Sequence, residues 1–325
     1  MVMTPFTSRL QLEPCFEEAL KAEQTPRSEW TPESRRANWT NASLDPQWLK
    51  RLPTVIEQEL TIPNRAGDAS IQLTINRPLG TEDVILPVIV YLHGGGWVIG
   101  NSSTHHRPRT ELAVAARAAV IFVHYRLAPE YKYPTGLEDC YDAVTWVGTE
   151  ANARSINVDA NTLVVVGDSA GGNLTAAVTL LAKQRGFKGI RAQVLFYPVT
   201  DCDFDTESYH RFANYDPGRE LMQWFFDHYV PDNKEREKTT VSPLKATTKD
   251  LQGLPPALVV TCEADPLLDE GEAYARKLLA AGVDTTALRI LGFGHGFLDM
   301  CFYDSSAAQA GIDQAVAMLR RIWKE

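Results

Sequence analysis

Residues 163–174 read LVVVGDSAGGNL: an aliphatic run, a serine enclosed by glycines, then the opening of a helical pattern. The β-branched run predicts a strand that ends at Gly167, and the residues from Ala170 onward predict a helix. Between them, Gly167-Asp168-Ser169-Ala170-Gly171 fits G-x-S-x-G in the one context where that pattern carries chemistry, a sharp strand-to-helix turn that exposes a serine hydroxyl. Glycine at 167 and 171 suits a turn in which backbones approach too closely for side chains, and the serine between them is expected to hold a strained conformation. A helix starting beside the hydroxyl aims N–H groups at it, which favours negative charge developing there.

Outward from this turn, short β-branched runs alternate with stretches of helical spacing, the mark of an α/β fold: a mostly parallel sheet flanked by helices. Residues 55–62 and 70–76 come first. The second alternates Ile71, Leu73 and Ile75 and is expected to be an antiparallel edge with one wet face. Val88–Leu92, Val120–Val123, Leu163–Val166, Val194–Tyr197, Ala257–Thr261 and Ala287–Leu291 are solidly apolar, as strands buried on both faces should be. Leu137, Cys140, Val144 and Val147 form a helical stripe, as do Ile312, Val316, Leu319 and Trp323, and both stripes are expected to face the core. Two regions break the alternation: residues 1–50, and residues 201–247, which separate two core strands by far more than an ordinary connection. The chain thus divides into an N-terminal cap segment (1–50), core (51–200), a cap insertion (201–247) and core again (248–325). Tyr209, Phe212, Tyr215, Trp224, Phe225, Phe226 and Tyr229 give the insertion an aromatic density suited either to lining an apolar pocket or to forming the lid's own small core.

Composition narrows the partners. A formal charge of −9 disfavours nucleic acid and anionic membrane surfaces, so a small neutral molecule is the expected partner. No apolar run reaches the roughly 20 residues that cross a bilayer, and the first residues lack the basic and apolar segments of a secretory leader. The expected location is the cytoplasm. Five cysteines, an odd number without metal-ligand spacing, predict free thiols and neither a disulfide framework nor a metal site. An edge strand offers a surface on which two copies can pair, so a homodimer is compatible with this architecture.

The second chemical feature is His93-Gly94-Gly95-Gly96-Trp97, directly after Val88–Leu92. Glycines without Cβ can turn their N–H groups onto a ligand oxygen, so Gly94 and Gly95, with the N–H of Ala170, are the expected oxyanion donors. A serine needs a base to take its proton and a carboxylate to orient that base. Among seven histidines only His295 lies just after the final predicted strand, whereas His93 is expected to brace the glycine loop. Asp265, in a loop after Ala257–Thr261, is the expected acid, with Asp269 and Glu263 as alternatives; followed by proline, it also suits a helix N-cap.

These motifs occur in the order HGGGW (93–97), YRLAPE (125–130), GDSAGG (167–172), DPLLDEG (265–271) and HGF (295–297). Together they resemble the hormone-sensitive-lipase-like family of α/β-hydrolases, a group of carboxylesterases and lipases. The resemblance implies a triad of Ser169, Asp265 and His295, an oxyanion hole of Gly94, Gly95 and Ala170, and a cap built from the two irregular regions. It also implies hydrolysis of short to medium acyl esters through an acyl-enzyme, with no metal or organic cofactor. A natural-product ester or lactone hydrolase and an acyltransferase would use the same residues. A non-catalytic small-molecule receptor on this fold would have no use for His295. YRLAPE carries no obvious proton chemistry and is expected to support the active-site loops.

Overall fold

A computed structural model describes residues 10–21 and 26–324; part of the N-terminal stretch inspected for a leader, residues 1–9, lies outside the described residues. Eight strands form one sheet: β1 (Val55–Pro63), β2 (Ser70–Pro78), β3 (Val88–Leu92), β4 (Ala119–His124), β5 (Val164–Asp168), β6 (Ala192–Phe196), β7 (Ala257–Ala264) and β8 (Thr285–Gly294). Their order is β1-β2-β4-β3-β5-β6-β7-β8. β2 runs antiparallel to β1 and β4, and every other pairing is parallel. After β3 the chain goes to one side to make β4 and then returns across to make β5. The carboxyl ends of β3 and β5 therefore lie together at a topological switch point, where open α/β sheets hold their ligands.

Alternate residues of the central strands feed two cores. Val88, Val90 and Leu92 of β3 join the helices Thr135–Val147 and Ala170–Arg185 on one face. Ile89 and Tyr91 join His106–Ala116 and Ser306–Trp323 on the other. The stripe Leu137, Cys140, Val144, Val147 is wholly buried, as are Ile312, Val316 and Leu319.

Two strand expectations are corrected. β2 is interior, with β1 at the edge, and its second face is covered by His106–Ala116, whose Arg109 donates to Asn76 Oδ1 at 2.7 Å. Its polar positions Thr74 and Asn76 are therefore buried as fully as its apolar ones, while Gln72 stays exposed. The run at 287–291 is not buried on both faces: β8 is the other edge of the sheet, and Leu291 is 64% exposed.

Residues 10–50 contribute the helices Pro14–Ala19, Pro32–Ser43 and Pro46–Leu49, and the β6–β7 connection contributes Glu207–Arg211, Arg219–Tyr229 and Asn233–Arg236. Arg36 moors the first group. Its guanidinium donates to Val98 O (2.8 Å), Ala128 O (2.9 Å) and both carboxylate oxygens of Glu130 (2.8 Å each). Glu130 closes the YRLAPE segment, and Arg126 in the same segment pairs with Asp139 at 2.7 Å, so the segment's polar groups are structural ties. Farther toward the N-terminus, Glu13 N–H donates to Gly292 O at 2.8 Å, and Phe16 packs its ring on Phe293 and Phe302 with centroids 5.9 Å away in each case. Among the described residues no helix is long and apolar enough to cross a membrane.

β3 and the turn after β5 approach too closely for side chains to fit between them. A Cβ on Gly171 would overlap the Leu92 carbonyl oxygen, and one on Gly167 would overlap the Gly171 carbonyl. Neither obstacle is the movable end of a side chain. Gly171→Ala is therefore expected to destabilise the protein by about 3 kcal/mol or more, despite alanine's better helix propensity. The check is a lower urea midpoint at unchanged slope.

Candidate active site

Ser169 sits between β5 and the helix Ala170–Arg185 with φ 54° and ψ −118°, a conformation costing a non-glycine residue about 1–3 kcal/mol. Its backbone is held from both sides: its N–H donates to Phe196 O at 2.8 Å, and its carbonyl accepts from Asn173 N (3.0 Å) and Val199 N (3.2 Å). The strain delivers the hydroxyl to His295, whose Nε2 lies 2.8 Å from Ser169 Oγ. On the far side of the imidazole, Nδ1 lies 2.8 Å from Asp265 Oδ2. The buried carboxylate fixes the tautomer: Nδ1–H donates to Asp265, which leaves the Nε2 lone pair to accept from the serine. The other oxygen, Asp265 Oδ1, accepts from Leu267 N at 2.9 Å. This is a turn two residues on, whereas the following helix begins at Leu268, so Asp265 does not serve as its N-cap. The alternative acids are occupied elsewhere: Asp269 Oδ2 accepts from Ser208 N and Glu263 Oε2 from Gly292 N, each at 2.8 Å.

Charge around the imidazole favours its protonated form. Burial alone would lower the pKa of His295, but the Asp265 carboxylate, with Asp168 and Asp299 beyond it, outweighs burial and raises it above the ordinary 6.5. His93 shows the opposite balance. Buried, facing His105 and stacked on Tyr125 at 4.2 Å, it falls to about 3 and stays neutral. Its Nδ1 approaches Gly94 O at 2.7 Å, and Tyr125 Oη donates to its carbonyl at 2.8 Å, so it braces the glycine loop.

That loop departs from expectation at one position. Asp168, the residue before the serine, accepts from Tyr91 Oη at 2.8 Å and from Gly94 N at 3.1 Å, with His105 Nε2 at 3.4 Å. Burial would raise its pKa, but the facing His105 and these donors hold it below the ordinary value. Gly94's N–H is thereby spent on a carboxylate and does not face the cavity beside Ser169. Gly95 (φ 105°) and Gly96 (φ 57°) do line that cavity, and among the described residues the N–H groups of Gly95, Gly96 and Ala170 have no protein acceptor.

The cavity measures about 490 Å³, within the usual range for small-molecule sites. Trp39, Ile99, Leu221, Met222 and Phe225 give it apolar walls around Ser169 and His295. Of the insertion's aromatic residues, suited either to lining a pocket or to packing among themselves, Phe225 lines this cavity; Phe226 and Tyr229 turn inward against Trp97, and Tyr209 is fully buried. The insertion's other buried aromatics join the main cores: Tyr209, Phe226 and Tyr229 the one that holds Trp97 and Leu92, and Phe212 the one that holds Tyr91. The sequence gives no signal for another wall residue, Asp299, whose carboxyl burial pushes up to about 6 despite the pull of His105.

The chain is similar to known esterases in sequence and in fold. A family model described as alpha/beta hydrolase fold matches residues 89–299. A solved fungal esterase of Rhizomucor miehei is 50% identical, with TM-score 0.94, over 97% of this chain and 98% of its own. Carboxylesterase NlhH of Mycobacterium tuberculosis is 39% identical over 83% of this chain and 86% of its own. Ethyl acetate hydrolase of Pseudomonas putida is 36% identical over 74% and 76%. The chain belongs to the α/β-hydrolases of the hormone-sensitive-lipase-like group. It is a carboxylic ester hydrolase.

Removing an anion near His295 disfavours its imidazolium. Asp299→Asn should move the His295 titration, followed by NMR of labelled imidazole, to lower pH, and Asp265→Asn should move it further. An unchanged midpoint in Asp299→Asn would mean that its charge does not reach the ring.

Proposed function

We propose that this carboxylesterase works through Ser169 as nucleophile, His295 as general base and then acid, and Asp265 as the carboxylate that orients and charges the imidazole. The observation that carries the reading is the unbroken pair of 2.8 Å contacts from Ser169 Oγ through His295 to Asp265. Ser169 Oγ attacks the ester carbonyl while His295 Nε2 takes its proton. The tetrahedral intermediate collapses, its C–O bond breaks, and the same proton passes to the leaving alcohol. Water, deprotonated by His295, then attacks the acyl-enzyme; the bond between the acyl carbon and Ser169 Oγ breaks, His295 returns the proton to that oxygen, and the acid leaves. The N–H groups of Gly95, Gly96 and Ala170 form the oxyanion hole in this reading, supported by their lack of other acceptors and by Gly94's engagement with Asp168. Helices from residues 10–50 and 201–247 act as a cap over the cavity. Its apolar walls and modest volume suit short to medium acyl esters of neutral molecules.

The test is hydrolysis of p-nitrophenyl esters of increasing acyl length. Ser169→Ala and His295→Ala should each lose about 10⁴-fold or more in kcat/KM. Retained turnover in Ser169→Ala would overturn the assignment. Because the base must be neutral, kcat/KM should rise with pH through the titration of His295. The midpoint of that limb is expected above 6.5 in the parent enzyme and lower in Asp265→Asn.

A further inference from the structure

A second cavity of about 600 Å³ adjoins the one that holds Ser169. Among the described residues, none of its walls belongs to the sheet or to the loops bearing Ser169 and His295; they come from the N-terminal segment and from the connection between β6 and β7. Arg35, Asp216 and Leu221 line both cavities and so form the wall between them. Arg35 belongs to the helix Pro32–Ser43, and Asp216 lies just before the helix Arg219–Tyr229. Their charged atoms are 3.7 Å apart, beyond the 2.7–2.9 Å of a charge-assisted hydrogen bond. The Arg35 side chain is largely buried and its guanidinium lies 5.7 Å from the centre of the Trp30 ring, while half of Asp216 is exposed. The neighbouring residue behaves differently: Arg36 ties the same helix to the core through its hydrogen bonds to Val98, Ala128 and Glu130. The helix is thus fixed while the ion pair beside it is loose, so the wall can open without displacing the helix.

We propose that the second cavity is an extension subsite that receives the alkyl tail of esters too long for the inner cavity, and that the Arg35–Asp216 pair is the partition restricting its use. The tail would lie along Trp30, Tyr215, Pro26 and Leu221, the apolar side of a lining that also carries Asn214, Arg219 and Glu220. The inference rests on the assignment of Ser169 as nucleophile, because it is the distance from that serine that makes a tail long.

The experiment compares kcat/KM for long and short substrates in two series: p-nitrophenyl dodecanoate against butyrate, and dodecyl butyrate against ethyl butyrate. The first places the tail on the acyl side and the second on the alcohol side. In Arg35→Ala and in Asp216→Asn, the long-to-short ratio should rise about fivefold or more in at least one series. The reciprocal variant Arg35→Asp/Asp216→Arg, which restores the pair with its charges exchanged, should bring the ratio back toward the parent's. Asp216→Asn alters only a half-exposed side chain and remains informative if Arg35→Ala folds poorly. Ratios within about twofold of the parent in both series, in a folded variant, would overturn the proposal. Undiminished hydrolysis by Ser169→Ala would instead strike at the catalytic assignment, so the two failures are distinguishable.

Discussion

The site depends on a contact with no side chains in it. β3 and the turn after β5 meet backbone to backbone, with Gly171 against the Leu92 carbonyl and Gly167 against Gly171. Because nothing intervenes, the carboxyl ends of the two strands can present their loops to the same point. Asp168 secures the junction by taking hydrogen bonds from Tyr91 and Gly94, and a Cβ on Gly94 would overlap that carboxylate. One interaction thus fixes the glycine loop and occupies the first of its N–H groups, while those of Gly95 and Gly96 have no acceptor among the described residues.

Electrostatics complete what the packing begins. Three carboxylates, Asp265, Asp168 and Asp299, act on His295 and outweigh the burial that would otherwise keep it neutral. His93, one residue away from the glycine loop's start and equally enclosed, lacks comparable support and remains an uncharged brace. The same side chain serves opposite ends because the local balance of desolvation against charge differs.

The parts of this architecture legible in the sequence are those fixed by local geometry or chain order. The core run Val88–Leu92 reads correctly because a strand buried on both faces needs apolar residues throughout. Ser169, Asp265 and His295 are legible because each follows a strand, and the structure brings the three side chains together. The engagement of Gly94 N–H with Asp168 is not legible in the sequence, since a run of glycines does not specify which N–H meets a carboxylate 74 residues on. β2 reads as an edge because its own alternation cannot reveal the helix that covers its polar face. Cavity walls such as Trp39, Asp216 and Asp299 lie on distant segments with no shared period, and the lid's aromatics give no sign of which way they turn.

The mooring of Glu13 and Phe16 on the strand and loops near His295 has a consequence for how the molecule is made. Phe16 rests where Gly294 leaves room for its ring and against Phe293 and Phe302, residues that leave the ribosome long after it does. Until those two rings are made, the only one of its aromatic neighbours available among the described residues is Tyr215. Contacts of such long sequence separation form late and slowly. The stretch of catalytic-cavity wall formed by Phe16, His295 and Phe302 is therefore completed only once the chain after the last strand has been made.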